Sequence, residues 1–534
     1  MSNLTEAVSI IADIGIRLGA AEDLTNLLDT ILTEAMRLTQ ADGGSLYLLK
    51  ENQLEFEIVK NHSLKINYGG PSSQPVPDSF RPITMSGNSI ENVCVWVAKT
   101  QKTKNIPDIS LNRNFDFSGT RRADARNQYS SVSFLTVAMR DHEGKTVGVL
   151  QLINALDENR TPIPFESNRQ KLVEALAGMA AVAINNHLLR RDLSNLLDAF
   201  MSLIAEGIDE KSAYTGGHCR RVPKLVMAFA EKVHGTQTGM FKDLTFTPED
   251  MYELRVAAWL HDVGKIAIPE YIVDKATKLE TIYDRIHEVS IRGELLKRER
   301  EIELLKKSAS ASEEQKIQLQ KEYEAEIQKI DETILFLRQS NYGSEFMTDE
   351  DIDKIHEIAS WDLTINGKAS PFLPGDFVYN LTIRKGTLTN EERKVINNHI
   401  NITINMLNKL PFPDHLKRVP EFAGGHHERM DGRGYPFGLK RDEMSVQARM
   451  MAIADIFEAL TASDRPYKKA KTLTEALNIL GKFKEINHID PDLFDVFVRE
   501  EVYLSYAKEF MATDMITYVD KERLIAIEPQ PMNL

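Results

Sequence analysis

Leu189, Leu193, Leu196, Phe200 and Leu203 recur at intervals of four, three, four and three residues. This spacing keeps apolar side chains on one seam of an α-helix and is the signature of a coiled coil. A strand cannot carry that pattern, so residues 189–212 divide the chain and each side is read by itself. The seam predicts a helical connector that pairs in parallel with a second copy, giving a homodimer. The alternative is an amphipathic helix packed on its own domain.

A chain of 534 residues exceeds one ordinary core, so several domains are expected. On the N-terminal side, LTNLLDTILTEAMRLT (24–39) has apolar residues at helical spacing. ADGGSLYLLKENQLEFEIV follows with an apolar run, a polar turn and an alternating run, which predicts a β-hairpin. SVSFLTVAMRD and TVGVLQLINAL, separated by HEGK, predict two further strands, and a helix begins near 166. Helix, hairpin, loops, hairpin and helix make an α+β pattern with one antiparallel sheet.

Residues 20–188 resemble a GAF domain through ADGGSLYLL, NIPDISLNRNF and GVLQLINALD. The resemblance implies a sensory domain whose ligand is unknown: a cyclic nucleotide, a haem, a bilin or nothing. His62, His142 and Cys94 are candidate ligand contacts, with surface or core positions as the simpler account. Residues 1–19 are read as an N-terminal helix.

The net charge of −14 excludes a general nucleic-acid polymer binder, which needs a basic footprint. Two cysteines, Cys94 and Cys219, leave no disulfide framework and no thiolate-rich zinc site. The start, MSNLTEAVSIIADIG, lacks a basic segment followed by a long apolar one. The run ALAGMAAVAI at 175–184 is half of the roughly 20 residues a membrane span requires. A cytoplasmic protein without a membrane span is expected.

Beyond the connector, WLHDVGKIAIPE (259–270) sets an imidazole beside a carboxylate, and GGHHERMDGRGYP (424–436) sets two imidazoles beside a glycine-rich loop. A carboxylate can bridge two ions, whereas an imidazole binds one. Between these segments, residues 281–341 are rich in Glu, Lys and Gln and are broken by SASAS at 308–312. Tyr323, Ile327, Ile330, Ile334 and Leu337 keep a heptad spacing there. This predicts an antiparallel helical hairpin with a solvated outer face, a possible surface for a protein partner.

The C-terminal region resembles the HD-GYP subgroup of HD-domain phosphohydrolases. The matching segments are GGHCRRV (216–222), HDVGKIAIPE (261–270), KGTLTNEERKVINNH (385–399), GGHHERMDGRGYPFGL (424–439) and ARMMAIADIFEALTASDRPYKK (448–469). The resemblance implies an all-α HD-type helix bundle over 213–510, interrupted at about 281–380 by the hairpin and further insertion, with a C-terminal tail at 511–534. It also implies a centre of two divalent metal ions, iron or alternatively manganese. The implied reaction is hydrolysis of cyclic di-GMP to pGpG or GMP.

Carried over motif by motif, the metal ligands are His218, His261, Asp262, His399, His426, His427 and Asp455, with Asp262 bridging. In the family a histidine follows the HD pair at a set distance beyond a leucine. The direct continuation places Ser290 eleven residues after Leu279, whereas the later copy places His399 eleven after Leu388. His399 is therefore taken as the ligand and His287 as a residue of the hairpin. Some members carry a further carboxylate four residues before the first histidine. Tyr214 stands there, so two ions are expected rather than three unless Glu206, Asp209 or Glu210 substitutes.

Two ions would activate water and neutralise a phosphodiester. Asp262 and Lys265 are the candidate catalytic residues, Lys265 with its ammonium near the phosphate or nucleophile. Arg465 and Lys468 are candidates for the second phosphate, with Arg449 as either a contact or a buttress. Gly434 would let backbone approach a base, and Tyr435 would stack on it. Asp431 would accept from a guanine edge or cap its own loop. The alternatives are a phosphodiesterase for another cyclic nucleotide such as cyclic GMP-AMP, or a catalytically silent scaffold that binds the dinucleotide.

Overall fold

The computed structural model describes residues 12–16, 23–71, 74–85, 92–212, 217–237, 239–343, 346–463 and 470–531. Two compact units divide the chain, Met1–Leu196 and Leu197–Leu534. Of the helix expected over 1–19, residues 12–16 are helical and the others lie outside the described residues.

The first unit is an antiparallel sheet with helices on both faces. Its strands run in the order Ile66–Tyr68, Gln53–Asn61, Ala41–Lys50, Thr146–Leu156, Phe134–Arg140, Lys104–Ile106. Alternation with a period of two divides the side chains between the faces. Leu46, Leu135, Val137, Met139 and Leu150 face the helices Leu24–Thr39 and Ser167–Lys211. Tyr47, Phe134, Ala138 and Val149 face the short helix Val93–Thr100. Coverage of both faces explains why these strands read as near-continuous apolar runs.

On that second side lies a cavity of about 560 Å³ whose wall includes Ser45, Tyr47, Cys94, Tyr129 and Gln151. Burial pushes the Cys94 thiol up to about 12, so the sulfur there is not a thiolate. His62 and His142 are exposed and do not line the cavity.

The helix Ser167–Lys211 is 45 residues long, enough by length and composition to cross a membrane. Its apolar stretch is a core face: Val173, Leu176, Ala177, Ala180 and Ile184 are buried against the sheet. Further along, Leu189, Leu193, Leu196, Phe200 and Leu203 are 53 to 63% exposed, so the described residues leave the seam uncovered.

The second unit is a helical bundle. His218–His234, Pro248–Leu260, Val446–Thr461, Leu473–Glu485, Pro491–Arg499 and Val502–Phe510 surround a core that includes Phe229, Phe457 and Phe497. The C-terminal stretch adds the helix Lys521–Ile525 and buries Leu524 in that core.

Two antiparallel arms, Ile286–Ser308 and Glu313–Ser340, form the projecting hairpin. Ser312 starts the second arm by capping it reciprocally with Gln315. The insertion has its own core, with Leu296, Leu337, Ile355, Phe372 and Phe377 buried together. It also contains a feature the helical reading did not include, a two-stranded ribbon of Asp362–Ile365 and Lys368–Pro371. The ends of the insertion meet: the Thr387 hydroxyl donates to the Lys275 carbonyl at 2.9 Å. The buried Lys275 ammonium lies 2.8 Å from both oxygens of Glu392.

Candidate metal centre

Three short stretches each end or begin a helix on a histidine and turn its ring the same way. His261 closes Pro248–Leu260, His399 opens His399–Leu407, and His426 follows Val419–Gly424. In each, Nδ1 lies on a carbonyl three residues back: Ala258 at 2.8 Å, Ile396 at 2.5 Å and Ala423 at 2.6 Å. A carbonyl only accepts, so Nδ1 carries a proton in each ring and Nε2 is the nitrogen left to face an ion.

Those Nε2 atoms, with that of His218, are buried and have no hydrogen-bond partner among the described residues; the same holds for Asp262 Oδ1. Unpaired buried polar atoms cost about 1–3 kcal/mol each, so five in one place need an occupant. The chemistry of the donors, imidazole nitrogen and carboxylate oxygen without thiolate, fits divalent iron or manganese. His218, His261 and Asp262 form one ligand-type group, and His399, His426 and His427 form a second.

Asp262 stands between them. Its Oδ2 is 3.2 Å from His218 Nε2 and 3.3 Å from His261 Nε2, while Oδ1 is 3.2 Å from His399 Nε2. Asp455 Oδ1 lies 3.2 Å from His218 Nε2. The structure thus brings together all seven residues singled out as ligands. Exposed His287 lies outside both groups, in the first turn of the hairpin.

Burial alone would lower His261, but the Asp262 carboxylate outweighs it and lifts the imidazole to about 9, so an ion taken at its Nε2 must displace a proton. His426 is lowered to about 4 by burial and by His261 beside it. Burial and His426 lower His427 likewise, so these two rings are neutral and able to ligate. Asp262 stays ionised, well below the usual carboxylate range, because Lys265 and His261 overcome its burial. Lys265 Nζ is 2.6 Å from Asp262 Oδ2.

The glycine-rich loop folds back onto the centre. Tyr435 stacks on His427, ring centroids 4.8 Å apart, and its N–H donates to the His427 carbonyl. A Cβ at Gly434 would lie 2.4 Å from the backbone of Glu428 and Arg429, so only glycine permits this approach. Asp431 accepts from the Arg433 N–H at 3.0 Å and pairs with Arg429 at 2.8 Å. Arg449 is held by buried Asp490, which also takes Arg441 at 3.0 Å. Arg465 and Lys468 lie outside the described residues.

Three family matches coincide with these elements. Residues 23–184 match the GAF domain, while 215–337 and 369–493 match two HD-domain models. The chain carries a GAF domain followed by HD-domain sequence. The first HD match runs through the first hairpin arm and into the second, to 337, and the second match begins at 369 within the ribbon.

A 3'3'-cGAMP-specific phosphodiesterase of Vibrio cholerae is 46% identical over 81 residues, 15% of this chain and 19% of that one. A cyclic di-GMP phosphodiesterase of Pseudomonas aeruginosa is 47% identical over 74 residues, 14% of this chain and 17% of that one. Another of that name, from Thermotoga maritima, is 37% identical over 129 residues, 24% of this chain and 33% of that one. The chain spans a third or less of the length of each.

Two carboxylates of the HD domain escaped the sequence reading. Glu458 is fully buried, meets His218 Nδ1 at 2.5 Å and accepts from Arg221 Nε at 2.6 Å. It thereby orients the His218 ring, as carboxylates behind ligating histidines do. Its spacing of three from Asp455, on the same helix face, was the available signal.

Glu428 is also buried and accepts from the N–H groups of Phe437, Gly438 and Leu439 at 2.7, 3.1 and 2.9 Å. It is a loop organiser rather than one of the clustered ligand-type residues. Glu428→Ala leaves those three donors unpaired, about 1–3 kcal/mol each. The expected outcome is an opened loop, read as faster tryptic cleavage at Arg433 with little loss of bound metal.

Proposed function

We propose that this GAF–HD protein is a cytoplasmic HD-GYP-type phosphodiesterase that hydrolyses cyclic di-GMP to pGpG or GMP. One observation carries the reading. Buried imidazole nitrogens and an Asp262 oxygen, all without hydrogen-bond partners among the described residues, converge beside a loop whose tyrosine stacks on His427. The named activities of the relatives support the substrate class.

His218, His261 and Asp455 would hold one ion and His399, His426 and His427 another, with Asp262 between them, iron first and manganese second. Such a pair, when bound, supplies an activated water and charge to neutralise a phosphodiester. The chain's own residues do the remaining work. Asp262 is kept ionised by Lys265, whose ammonium stands beside the centre. Glu458 fixes the His218 ring, and the Glu428-organised loop presents Tyr435 to a base. Arg465 and Lys468 are proposed for the second phosphate, while Arg449, engaged with Asp490, acts as a buttress.

The cavity in the GAF domain supports regulation by a small ligand, and the exposed connector seam supports a homodimer. The hairpin is proposed as the surface for a protein partner. The Vibrio relative's name favours a second reading, cleavage of cyclic GMP-AMP.

The test incubates anaerobically iron-loaded protein with each dinucleotide and separates the products. Cyclic di-GMP is expected to be cleaved faster. Preferential cleavage of cyclic GMP-AMP selects the second reading. No cleavage of either with two ions confirmed per chain overturns the enzyme and leaves the silent scaffold.

A further inference from the structure

The turn that follows Asp262 is a short 3-10 helix, Val263–Ala267, carrying Lys265. Short helices of this kind leave carbonyls at their C-terminal end without intrahelical partners. Here three carbonyls of this turn and its exit converge on one side chain, although that of Lys265 also accepts from the Ile268 N–H. The Lys211 ammonium lies 3.3 Å from the Lys265 carbonyl, 2.5 Å from that of Ile266 and 2.7 Å from that of Ile268.

Lys211 is the last residue of the connector helix. Its neighbour Ser212 grips the same segment farther on, through a hydrogen bond to Asp274, which caps the helix Glu270–Val273. On the opposite side of the turn, the Gly264 N–H donates to the Thr403 hydroxyl at 2.9 Å, on the helix that begins with His399.

The turn is therefore held from two directions by different chemistry. Thr403 takes its N–H end, and Lys211 takes its carbonyl end with three charge-assisted hydrogen bonds. Between the two grips sits Lys265, with its ammonium 2.6 Å from Asp262 Oδ2. Lys211 touches none of the clustered ligand residues itself.

We infer that Lys211 is a positioning residue: the end of the connector helix sets the turn that places Lys265 and Asp262. This rests on the phosphodiesterase reading for its kinetic consequence, but not for its structural one. Removing the ammonium leaves the carbonyls of Ile266 and Ile268 to water and releases one end of the turn. Displacements of about 1 Å near a reacting centre cost up to about 100-fold in rate.

The test compares wild type, Lys211→Met and Lys211→Arg, with Lys224→Met as a control, since Lys224 is an exposed lysine paired with Glu509 on the bundle. All four are measured as full-length, metal-loaded protein. The readouts are amide hydrogen exchange over 262–270, bound Mn²⁺ per chain by electron paramagnetic resonance, and kcat and KM for cyclic di-GMP.

Lys211→Met is expected to exchange faster over 262–270 and to lose at least tenfold in kcat with KM unchanged. Lys211→Arg, which keeps a cation with several donors, should recover part of both, and Lys224→Met neither. Wild-type exchange and wild-type kcat in Lys211→Met overturn the inference. So does a loss of stability that Lys211→Arg does not reverse and that leaves kcat intact, because a merely structural lysine behaves that way. Wild type that binds two Mn²⁺ but cleaves nothing overturns the phosphodiesterase reading instead; the exchange comparison then decides the clamp alone.

Discussion

His399→Ala is expected to lower the metal content of the protein from two ions per chain to one and to abolish cleavage, while His287→Ala changes neither. The two histidines compete for one role in the sequence, and the fold separates them. His399 Nε2 is buried without a hydrogen-bond partner among the described residues, 3.2 Å from Asp262 Oδ1, and its ring lies 5.2 Å from that of His427. Its other nitrogen is committed to the Ile396 carbonyl, so the ring has one orientation and one free lone pair. His287 is exposed on the first arm of the hairpin. A partner that merely orients a ligand is worth about 10- to 100-fold in metal affinity, and loss of a ligand should exceed that. Metal analysis of purified variants reads the outcome. Full metal in His399→Ala, or loss in His287→Ala, would refute the assignment.

Gly264→Ala is the second large effect, and it acts through backbone alone. A Cβ at this position would lie 2.0 Å from the His399 carbonyl oxygen and 2.7 Å from the Thr403 nitrogen. Neither atom belongs to a side chain that can swing away, so the turn and the His399 helix must part. Overpacking of this sort costs about 1–3 kcal/mol or more. The same movement breaks the Gly264 N–H bond to Thr403 and draws His399 from Asp262. The expected result is a folded protein with Mn²⁺ affinity reduced at least about tenfold, on the scale on which indirect partners act. Titration of Mn²⁺ by electron paramagnetic resonance measures it; wild-type affinity would show that the two elements are not rigidly packed.

Apolar spacing carried most of the architecture. The apolar run FLTVAMR marks a strand covered on both faces, the heptad around Ile330 an arm packed into the core of the insertion, and the seam around Leu193 a helix whose apolar side stays exposed. The two-stranded ribbon had a signal that went unused: Asn366 and Gly367 both take positive φ, the turn that an Asn-Gly pair favours. Glu428 and Glu458 were less legible for a physical reason. Each acts on groups beyond its own helical turn, Glu428 on N–H groups at 437–439 and Glu458 on His218 in a distant helix, and spacing can place a carboxylate on a face without naming the N–H or imidazole it will meet. Arg449 stays open in the sequence between a phosphate contact and a buttress for the same reason, since Asp490 lies 41 residues beyond it. The ligand-type residues were legible only as matched motifs; no local rule selects His399 over His287.

The joined ends of the insertion bear on the order in which the site can assemble during synthesis. Asp262 leaves the ribosome well before His399, and the intervening chain must close a loop before the two can meet. Loop-closure entropy rises only as the logarithm of length, about 0.6 kcal/mol per doubling, so distance alone is a modest obstacle. The insertion reduces even that, because its separate core and the contacts of Lys275 with Thr387 and Glu392 bring its two ends together by themselves. Once it has condensed, His399 follows Asp262 across a short effective tether. The insertion thus behaves as a chaperoning detour: the half of the centre that arrives late is handed back to the half that was made first.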